Sequence, residues 1–169
     1  MIKIRQTGID LGKINFDFHK QLNEMAKIVK SDISETVRSG RGVTPSGGKR
    51  TLRSLKKATI EKKQKSKDSR IRRNASKPLV GTGSMINLVT EKATKAKQIA
   101  KLYAGKKRAY KNISKAYYSN ATPFEVGGYH QRGDGVPKRE WFGISKEAEK
   151  KIVRMVSFEM DKKLARARA

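Results

Sequence analysis

The chain has 169 residues, of which 41 are Lys or Arg and 15 are Asp or Glu, so its formal net charge is +26. The absence of Cys excludes disulfides, thiolate metal sites and thiol catalysis. Mutual repulsion of so much positive charge opposes compaction, which predicts a polyanionic neighbour, either nucleic acid or an acidic protein surface. The length fits a single domain over residues 1–169.

Membrane and export signals are not evident in the sequence. It contains no run of about 18 apolar residues, so no transmembrane helix and no membrane partner are expected. The first residues also lack the apolar core of a signal peptide. We therefore expect the protein to be made in a cytoplasm.

The N-terminal part predicts a short strand and then a long helix. Residues 1–13 begin with an alternation that suits an edge strand. Over residues 15–39 the apolar residues instead recur every three or four positions, which predicts an amphipathic helix. Its stripe comprises Ile14, Phe18, Leu22, Met25, Val29, Ile33 and Val37. Asn15 is a suitable N-cap and Gly40 a suitable stop, whereas His19 lies off the stripe and is expected in solvent.

Residues 40–78 are rich in Lys and Arg and poor in apolar residues. Such a segment buries too little apolar surface to offset the entropy of its own ordering. We expect a basic extended arm or loop that is mobile in the free protein and ordered on assembly. The Gly-Gly-Lys-Arg within it is not a phosphate-binding loop, because Arg50 stands where that motif needs Ser or Thr.

The middle of the chain predicts strands. Gly-Thr-Gly at 81–83 marks a turn, and residues 84–90 then resemble a strand with Ile86 and Leu88 on one face. Residues 92–104 fit either a helix or the continuation of the strand as a hairpin arm. Residues 106–113 are basic and loop-like, and residues 115–120 predict a second strand.

Residues 122–145 concentrate the residues with special backbone or packing properties, including the single Trp. Glycines at 127, 128, 133 and 135 permit tight turns, and Pro137 favours an extended segment. We interpret the stretch as a loop, a short extended segment and a helix start capped by Ser145. Trp141, Phe142 and Ile144 supply large apolar groups to bury.

The C-terminal residues predict a second amphipathic helix over 146–166. Acidic residues begin it and basic residues end it, which complements the helix dipole. Its apolar stripe comprises Ala148, Ile152, Met155, Val156, Met160 and Leu164.

Four short pieces, in this order, resemble one protein family. They are Leu-Lys-Lys-Ala-Thr-Ile-Glu-Lys-Lys at 55–63, Pro-Leu-Val-Gly-Thr-Gly-Ser-Met at 78–85, Tyr-His-Gln-Arg-Gly at 129–133 and Val-Pro-Lys-Arg-Glu-Trp-Phe-Gly-Ile-Ser at 136–145. The pattern is similar to that of the tailed-phage virion-morphogenesis family, which comprises tail-completion and head–tail joining proteins. It differs at Met85, where the family usually has Leu, and at the Gly127-Gly128 pair.

The resemblance implies a fold and a role. The fold is α+β: a small antiparallel sheet packed by the long N-terminal helix and a C-terminal helix, with the basic arm attached. The role is a structural one in the virion, as a homo-oligomeric ring of the neck that completes the tail or joins head to tail around the DNA channel. Its partners would be further copies of itself, connector or portal-side proteins and tail-tube-side proteins. Neither catalysis nor a cofactor is implied.

His130 is the residue that most invites a catalytic interpretation. Glu125, Asp134 and Glu140 are close to it in sequence, and a metal-dependent nuclease could combine a His with carboxylates. We favour a structural interpretation, in which His130 and Gln131 form hydrogen bonds with the backbone of a glycine-rich loop. No catalytic, metal or cofactor-binding residue is therefore assigned.

Two sets of residues are candidates for contacts with partners. A subunit or neighbour interface would comprise Tyr129, His130, Gln131, Arg139, Trp141 and Phe142. For Trp141 and Phe142, closure of the core is an equally good interpretation. Contacts with channel DNA or an acidic surface would come from Lys49, Arg50, Arg53, Lys56, Lys57, Lys62, Lys63, Arg70, Arg72 and Arg73. The alternative function is a basic nucleic-acid-binding protein that uses its 41–77 arm.

Overall fold

The computed structural model describes residues 17–104, except 82 and 84, and residues 122–168. The elements in chain order are α1 (His19–Arg38), β1 (Arg41–Val43), β2 (Lys49–Thr51), α2 (Lys57–Gln64), α3 (Ser69–Arg73), β3 (Leu88–Glu91), β4 (Lys101–Ala104), α4 (Pro123–Arg132) and α5 (Lys146–Arg168). The predicted α+β class is confirmed, with antiparallel pairs β1–β2 and β3–β4 in the described part. The strands predicted over 1–13 and 115–120, and the loop over 106–113, lie outside the described residues.

Helix α1 follows the predicted stripe, and Ile33 and Val37 on that stripe are completely buried. Gly40 follows the helix in a left-handed conformation with φ of +78°, so the predicted stop is confirmed. The predicted start at Asn15 is wrong, because Asp17 and Phe18 are not helical and α1 begins at His19.

Asp17 fixes the start of α1, because its side chain accepts a hydrogen bond from a backbone N–H of the first turn. Its Oδ1 accepts a hydrogen bond from the His19 backbone N–H at 3.1 Å and lies 2.6 Å from His19 Nδ1. The His19 side chain is only 19% exposed, so its predicted position in solvent is wrong.

The segment expected to be an arm or loop contains more regular structure than expected. It forms the hairpin β1–β2, in which Arg41 pairs with Thr51 and Val43 with Lys49, and then α2 and α3. The few apolar residues of the segment explain this order, because Val43 and Leu52 are buried against the rest of the chain.

Strands β3 and β4 form a hairpin in which Leu88 pairs with Ala104. For residues 92–104 the hairpin alternative is therefore the correct one. The strand predicted from Ser84 starts later, at Leu88, because residues 85–87 form a turn closed by the Asn87 N–H and the Gly83 carbonyl at 3.0 Å. Ser84 itself lies outside the described residues.

Helix α4 replaces the loop predicted for the first part of the 122–145 stretch. A capping box starts it: the Glu125 N–H donates to Thr122 Oγ1 at 3.2 Å, and the Thr122 N–H donates to Glu125 Oε2 at 2.6 Å. Pro123 occupies the first turn, where its missing N–H costs nothing. Gly133 ends the helix with φ of +90°, so the predicted tight turn is confirmed only from that residue onward.

Helix α5 begins at Lys146, and the predicted Ser145 cap is confirmed by a 3.1 Å hydrogen bond from the Ala148 N–H to Ser145 Oγ. Ile144 beside it is 53% exposed, so its predicted burial is wrong. The helix contacts α1, with Gln21 Nε2 donating to Glu159 Oε2 at 3.3 Å. No helix in the part of the chain that the structure describes is long and apolar enough to cross a membrane.

The core is one cluster built from α1, β3, β4, α4 and the segments that precede β3 and α5. Its largest fully buried side chain is Trp141. The other buried members are Ile33, Val37, Val80, Met85, Ile86, Leu88, Ala104 and Val126. Residues from two of the four family-like pieces, those at 78–85 and 136–145, therefore lie in or beside this cluster.

Candidate functional site

Gln131 joins α4 to the extended segment that precedes α5. Its Oε1 accepts hydrogen bonds from the backbone N–H groups of Trp141 at 2.9 Å and Phe142 at 3.1 Å. Its Nε2 donates to the Phe142 carbonyl at 3.2 Å. The segment 136–145 belongs to no strand that the structure describes, so one amide side chain supplies three backbone bonds. The predicted backbone role of Gln131 is confirmed.

Trp141 closes the core over α4 rather than facing outward. Its side chain is almost completely buried, and Nε1 donates to the Gly127 carbonyl at 3.0 Å. The ring of Phe142 meets it edge-on, with centroids 5.4 Å apart. A Cβ at Gly127 would lie 2.7 Å from Trp141 Cζ2, so the helix approaches the ring this closely only with glycine at that position.

Arg139 is buried and tied to the basic segment. It is 6% exposed, and Nε donates to the Arg53 carbonyl at 3.0 Å. Nη2 donates to the Ser54 carbonyl at 3.4 Å. The backbone N–H of Arg139 donates to the His130 carbonyl at 2.7 Å. Arg139 therefore links the loop after β2, the end of α4 and the segment before α5.

The proposed interface residues differ in how accessible their side chains are. Trp141 and Arg139 are buried inside the chain, and Gln131 is occupied with backbone groups. Tyr129 is 37% exposed and is the member of the set with the most accessible side chain. For Trp141 the core-closing interpretation is thus the correct one, and a neighbour would meet this surface through Tyr129.

His130 lies in a half-buried position next to Arg139, with Nδ1 and Nη1 3.5 Å apart. Burial lowers the pKa of His130, and the charge of Arg139 lowers it further, against an opposing effect of the Pro137 carbonyl. The imidazole is therefore neutral at pH 7.

The carboxylates near His130 in sequence bind other groups. Glu125 caps α4, Asp134 Oδ2 accepts from Arg132 Nε at 2.6 Å, and Glu140 Oε1 pairs with Lys138 Nζ at 2.8 Å. Within residues 17–104 and 122–168, as far as they are described, no three His, Asp or Glu side chains converge as metal ligands.

Lys63 was predicted to contact DNA or an acidic surface, but its ammonium group lies against the chain's own backbone. Nζ donates to the carbonyls of Asn74 at 2.7 Å, Lys77 at 2.9 Å and Val80 at 3.1 Å. Burial lowers the pKa of Lys63 to about 8, while the three carbonyl oxygens favour the charged form. At neutral pH the ammonium therefore fastens α2 to the chain that follows α3.

Lys49 is likewise occupied. Its Nζ lies 2.8 Å from Asp32 Oδ1 and 3.4 Å from Glu147 Oε2, so it joins β2 to both long helices. The hydrogen bond to Asp32 raises the pKa of Lys49. Arg72 Nη1 donates to the carbonyls of Ser66 and Lys67 at 2.7 and 2.9 Å. The charged groups of both side chains therefore bind partners within the chain.

The other predicted basic residues are exposed. Arg70 pairs with Asp68 at 2.8 Å and still presents 62% of its side chain. Exposed as well are Arg50, Arg53, Lys56, Lys57, Lys62 and Arg73. Four of these residues, Arg50, Arg53, Arg70 and Arg73, border two clefts. One, of about 530 Å³, is lined by Arg50, Arg53, Lys138, Arg139 and Glu140 with Thr44, Thr51 and Leu52. The other, of about 380 Å³, is lined by Arg38, Arg70, Arg73, Asn74 and Lys77 with Val80, Gly83 and Ile86.

Sequence reasoning missed Arg38 as a member of this second cleft. Arg38 ends α1, far along the chain from α3, and charge patterning alone does not bring the two together.

No protein-family model, no curated protein and no solved structure matches this chain.

Proposed function

We propose that the chain is a non-enzymatic structural protein of a tailed-phage neck. It would form a homo-oligomeric ring that completes the tail or joins head to tail around the DNA channel. The observation that carries the proposal is that each of the four family-like pieces contacts another of them, through Lys63 and Val80, through the buried cluster, or through Gln131 and Trp141. Pieces that hold a common fold together are expected to recur in order within a family.

The contacts between the pieces involve their distinctive residues. Lys63 of the first piece donates to the Val80 carbonyl of the second. Met85 of the second and Trp141 of the fourth lie in the same buried cluster. Gln131 of the third binds the backbone of Trp141 and of its neighbour in the fourth. The short motifs thus correspond to the points where separate segments of this fold are joined.

A closed ring needs two different complementary faces on each subunit. The β1–β2 turn of the basic segment lies beside Ile144, with the Lys146 N–H donating to the Gly47 carbonyl at 2.9 Å. We therefore place α2 and α3 of the 40–78 segment on one face and the exposed apolar residues of the 122–145 stretch, Tyr129 and Ile144, on the other. A chain of charge +26 gains most from a neighbour that offers acidic groups or phosphates. The connector on the head side and the tail tube are the expected partners, and DNA would run through the ring.

The test is the mass of the purified full-length protein in solution, measured by light scattering with negative-stain imaging. We expect a single closed oligomer that appears as a ring. The double variant Tyr129→Ser and Ile144→Ser should shift the mass toward monomer. Ile99→Ser is the matched control, because Ile99 is 54% exposed but lies on the loop before β4. It should leave the ring intact.

A strict monomer at every concentration, with no association with connector or tail-tube-side proteins in a co-purification, would contradict the proposal. If the monomer instead binds nucleic acid tightly, the alternative of a basic nucleic-acid-binding protein replaces it. If the Ile99→Ser control reduces the oligomer mass as much as the double variant does, the interface is not specifically at Tyr129 and Ile144.

A further inference from the structure

The cleft between the end of α1 and α3 brings together cations from separate parts of the chain. Arg38 comes from the last turn of α1, Arg70 and Arg73 from α3, and Lys77 from the turn after it. All four side chains are exposed. The apolar residues Val80 and Ile86, both at most 5% exposed, also line the cleft, and apolar walls strengthen electrostatic attraction within it.

The positive charge of this cleft is largely not neutralised by the protein. Asp68 pairs with Arg70, but Arg38, Arg73 and Lys77 form no ion pair with any residue that the structure describes. In the larger cleft two of the cations are already bound by the protein, because Lys138 pairs with Glu140 and Arg139 donates to backbone carbonyls. Of the two clefts, the α1–α3 cleft therefore offers a bound anion more unpaired cations, three against Arg50 and Arg53 in the larger one.

The rim of the cleft is held in place before any ligand arrives. The Lys63 ammonium binds the carbonyls of Asn74, Lys77 and Val80, which fixes the backbone of these three lining residues. Asp68 caps α3 by accepting from the Arg70 N–H at 2.8 Å. A fixed backbone lowers the ordering cost of binding, because only the exposed side-chain ends must be immobilised.

The composition of the cleft indicates the kind of anion. The unpaired guanidinium groups of Arg38 and Arg73, with the Lys77 ammonium, suit phosphate oxygens, which guanidinium binds in a bidentate manner. Arg70 already forms a bidentate pair with Asp68. None of the residues that line the cleft is aromatic, so bases have no surface on which to stack. We propose that the α1–α3 cleft binds the phosphodiester backbone of a nucleic-acid duplex. This inference does not depend on ring assembly, since one subunit carries the whole cleft.

The test is the salt dependence of duplex binding by the full-length protein. The probe is a labelled DNA duplex of roughly 20 base pairs, followed by fluorescence anisotropy between about 50 and about 200 mM salt. The double variant Arg73→Ala and Lys77→Ala should reduce the steepness of log affinity against log salt by about 2, because each lost phosphate contact removes about 0.9. With an RNA duplex of the same length, the double variant should show the same reduction in slope, since only phosphates are contacted.

The matched control is the double variant Lys150→Ala and Arg154→Ala, which removes the same charge from exposed positions on α5. Its slope should stay within about 0.5 of the wild type. An equal reduction in both variants would overturn the proposal in favour of diffuse charge. An unchanged slope in the cleft variant would also overturn it. Binding of polyglutamate as tight as binding of the duplex, and lost in the cleft variant, would assign the cleft to an acidic protein surface instead.

Discussion

Gly127 shows how one residue sets the distance between an element and the core. Its missing side chain lets α4 approach the Trp141 indole closely enough for the Gly127 carbonyl to accept from Nε1 at 3.0 Å. Gly128 is the next residue of the same helix but faces Arg132, whose flexible guanidinium end would lie 3.1 Å from a Cβ added at Gly128. Two adjacent glycines thus have different physical roles.

Replacing the two glycines by alanine should change the free energy of unfolding in opposite directions. Gly127→Ala should lower the free energy of unfolding by about 1–2 kcal/mol, because the added methyl overlaps a buried ring that cannot move away. Gly128→Ala should raise it by about 0.5–1 kcal/mol, since alanine favours the helix and the Arg132 side chain can shift. Urea titrations of both variants measure this. Equal effects of the same sign would show that Trp141 does not restrict α4.

His130 should make stability depend on pH in mildly acidic solution. Its pKa is lowered by burial and by Arg139 in the folded chain, so the unfolded chain binds the proton more readily. The free energy of unfolding should therefore fall as the pH decreases through 6.5, with a slope of at most about 1.4 kcal/mol per pH unit. The His130→Gln variant should lack this contribution to the pH dependence of the free energy of unfolding. Parallel pH profiles for variant and wild type would mean that His130 protonates equally in both states.

At the scale of elements, the long helices were predictable from sequence and the short ones much less so. The apolar stripes of α1 and α5 repeat over several turns and fix both the type and the buried face. The sequence does not predict α4 from its periodicity, although Thr122 and Glu125 form a recognisable capping box and Pro123 suits the first turn. The adjacent glycines outweighed that signal, because the need for Gly127 arises from Trp141, which is distant in sequence.

The basic segment is more ordered than its composition predicts, for a related reason. Its composition predicts too little apolar burial for order, but Lys63 and Lys49 supply polar links that composition does not show. Which lysines turn inward depends on carbonyl and carboxylate groups brought near by the fold. Sequence therefore predicted the sign of the surface charge, and it did not separate structural cations from exposed ones.

The Lys63 contacts predict a difference between two nearby lysines. Lys63→Met should lower the free energy of unfolding by about 2 kcal/mol, because three backbone carbonyls lose a charged donor. Lys65→Met should change it by less than about 0.5 kcal/mol, since Lys65 is exposed at the end of α2. Chemical denaturation of both variants tests this. Equal stability of the two would show that the ammonium does not fasten α2.

At the scale of the whole molecule, charge and packing are the features on which we base the proposal of a larger assembly. The described chain buries one core cluster but leaves Ile144, Val153 and Phe158 more than half exposed. Its charge of +26 adds self-repulsion that a polyanionic neighbour would relieve. A ring of identical subunits around DNA would supply both an apolar contact and that neighbour, which is why we favour the neck proposal over an isolated binding protein.

The most direct test of the neck proposal is the position of the chain in assembled particles. Virions produced from the genome that encodes it would be labelled with a gold-conjugated antibody against this chain and imaged. We predict label at the head–tail junction, in a ring around the tail axis. Label on the capsid shell or tail fibres would contradict the proposal, as would particles that carry none of the chain while it remains in the unassembled fraction.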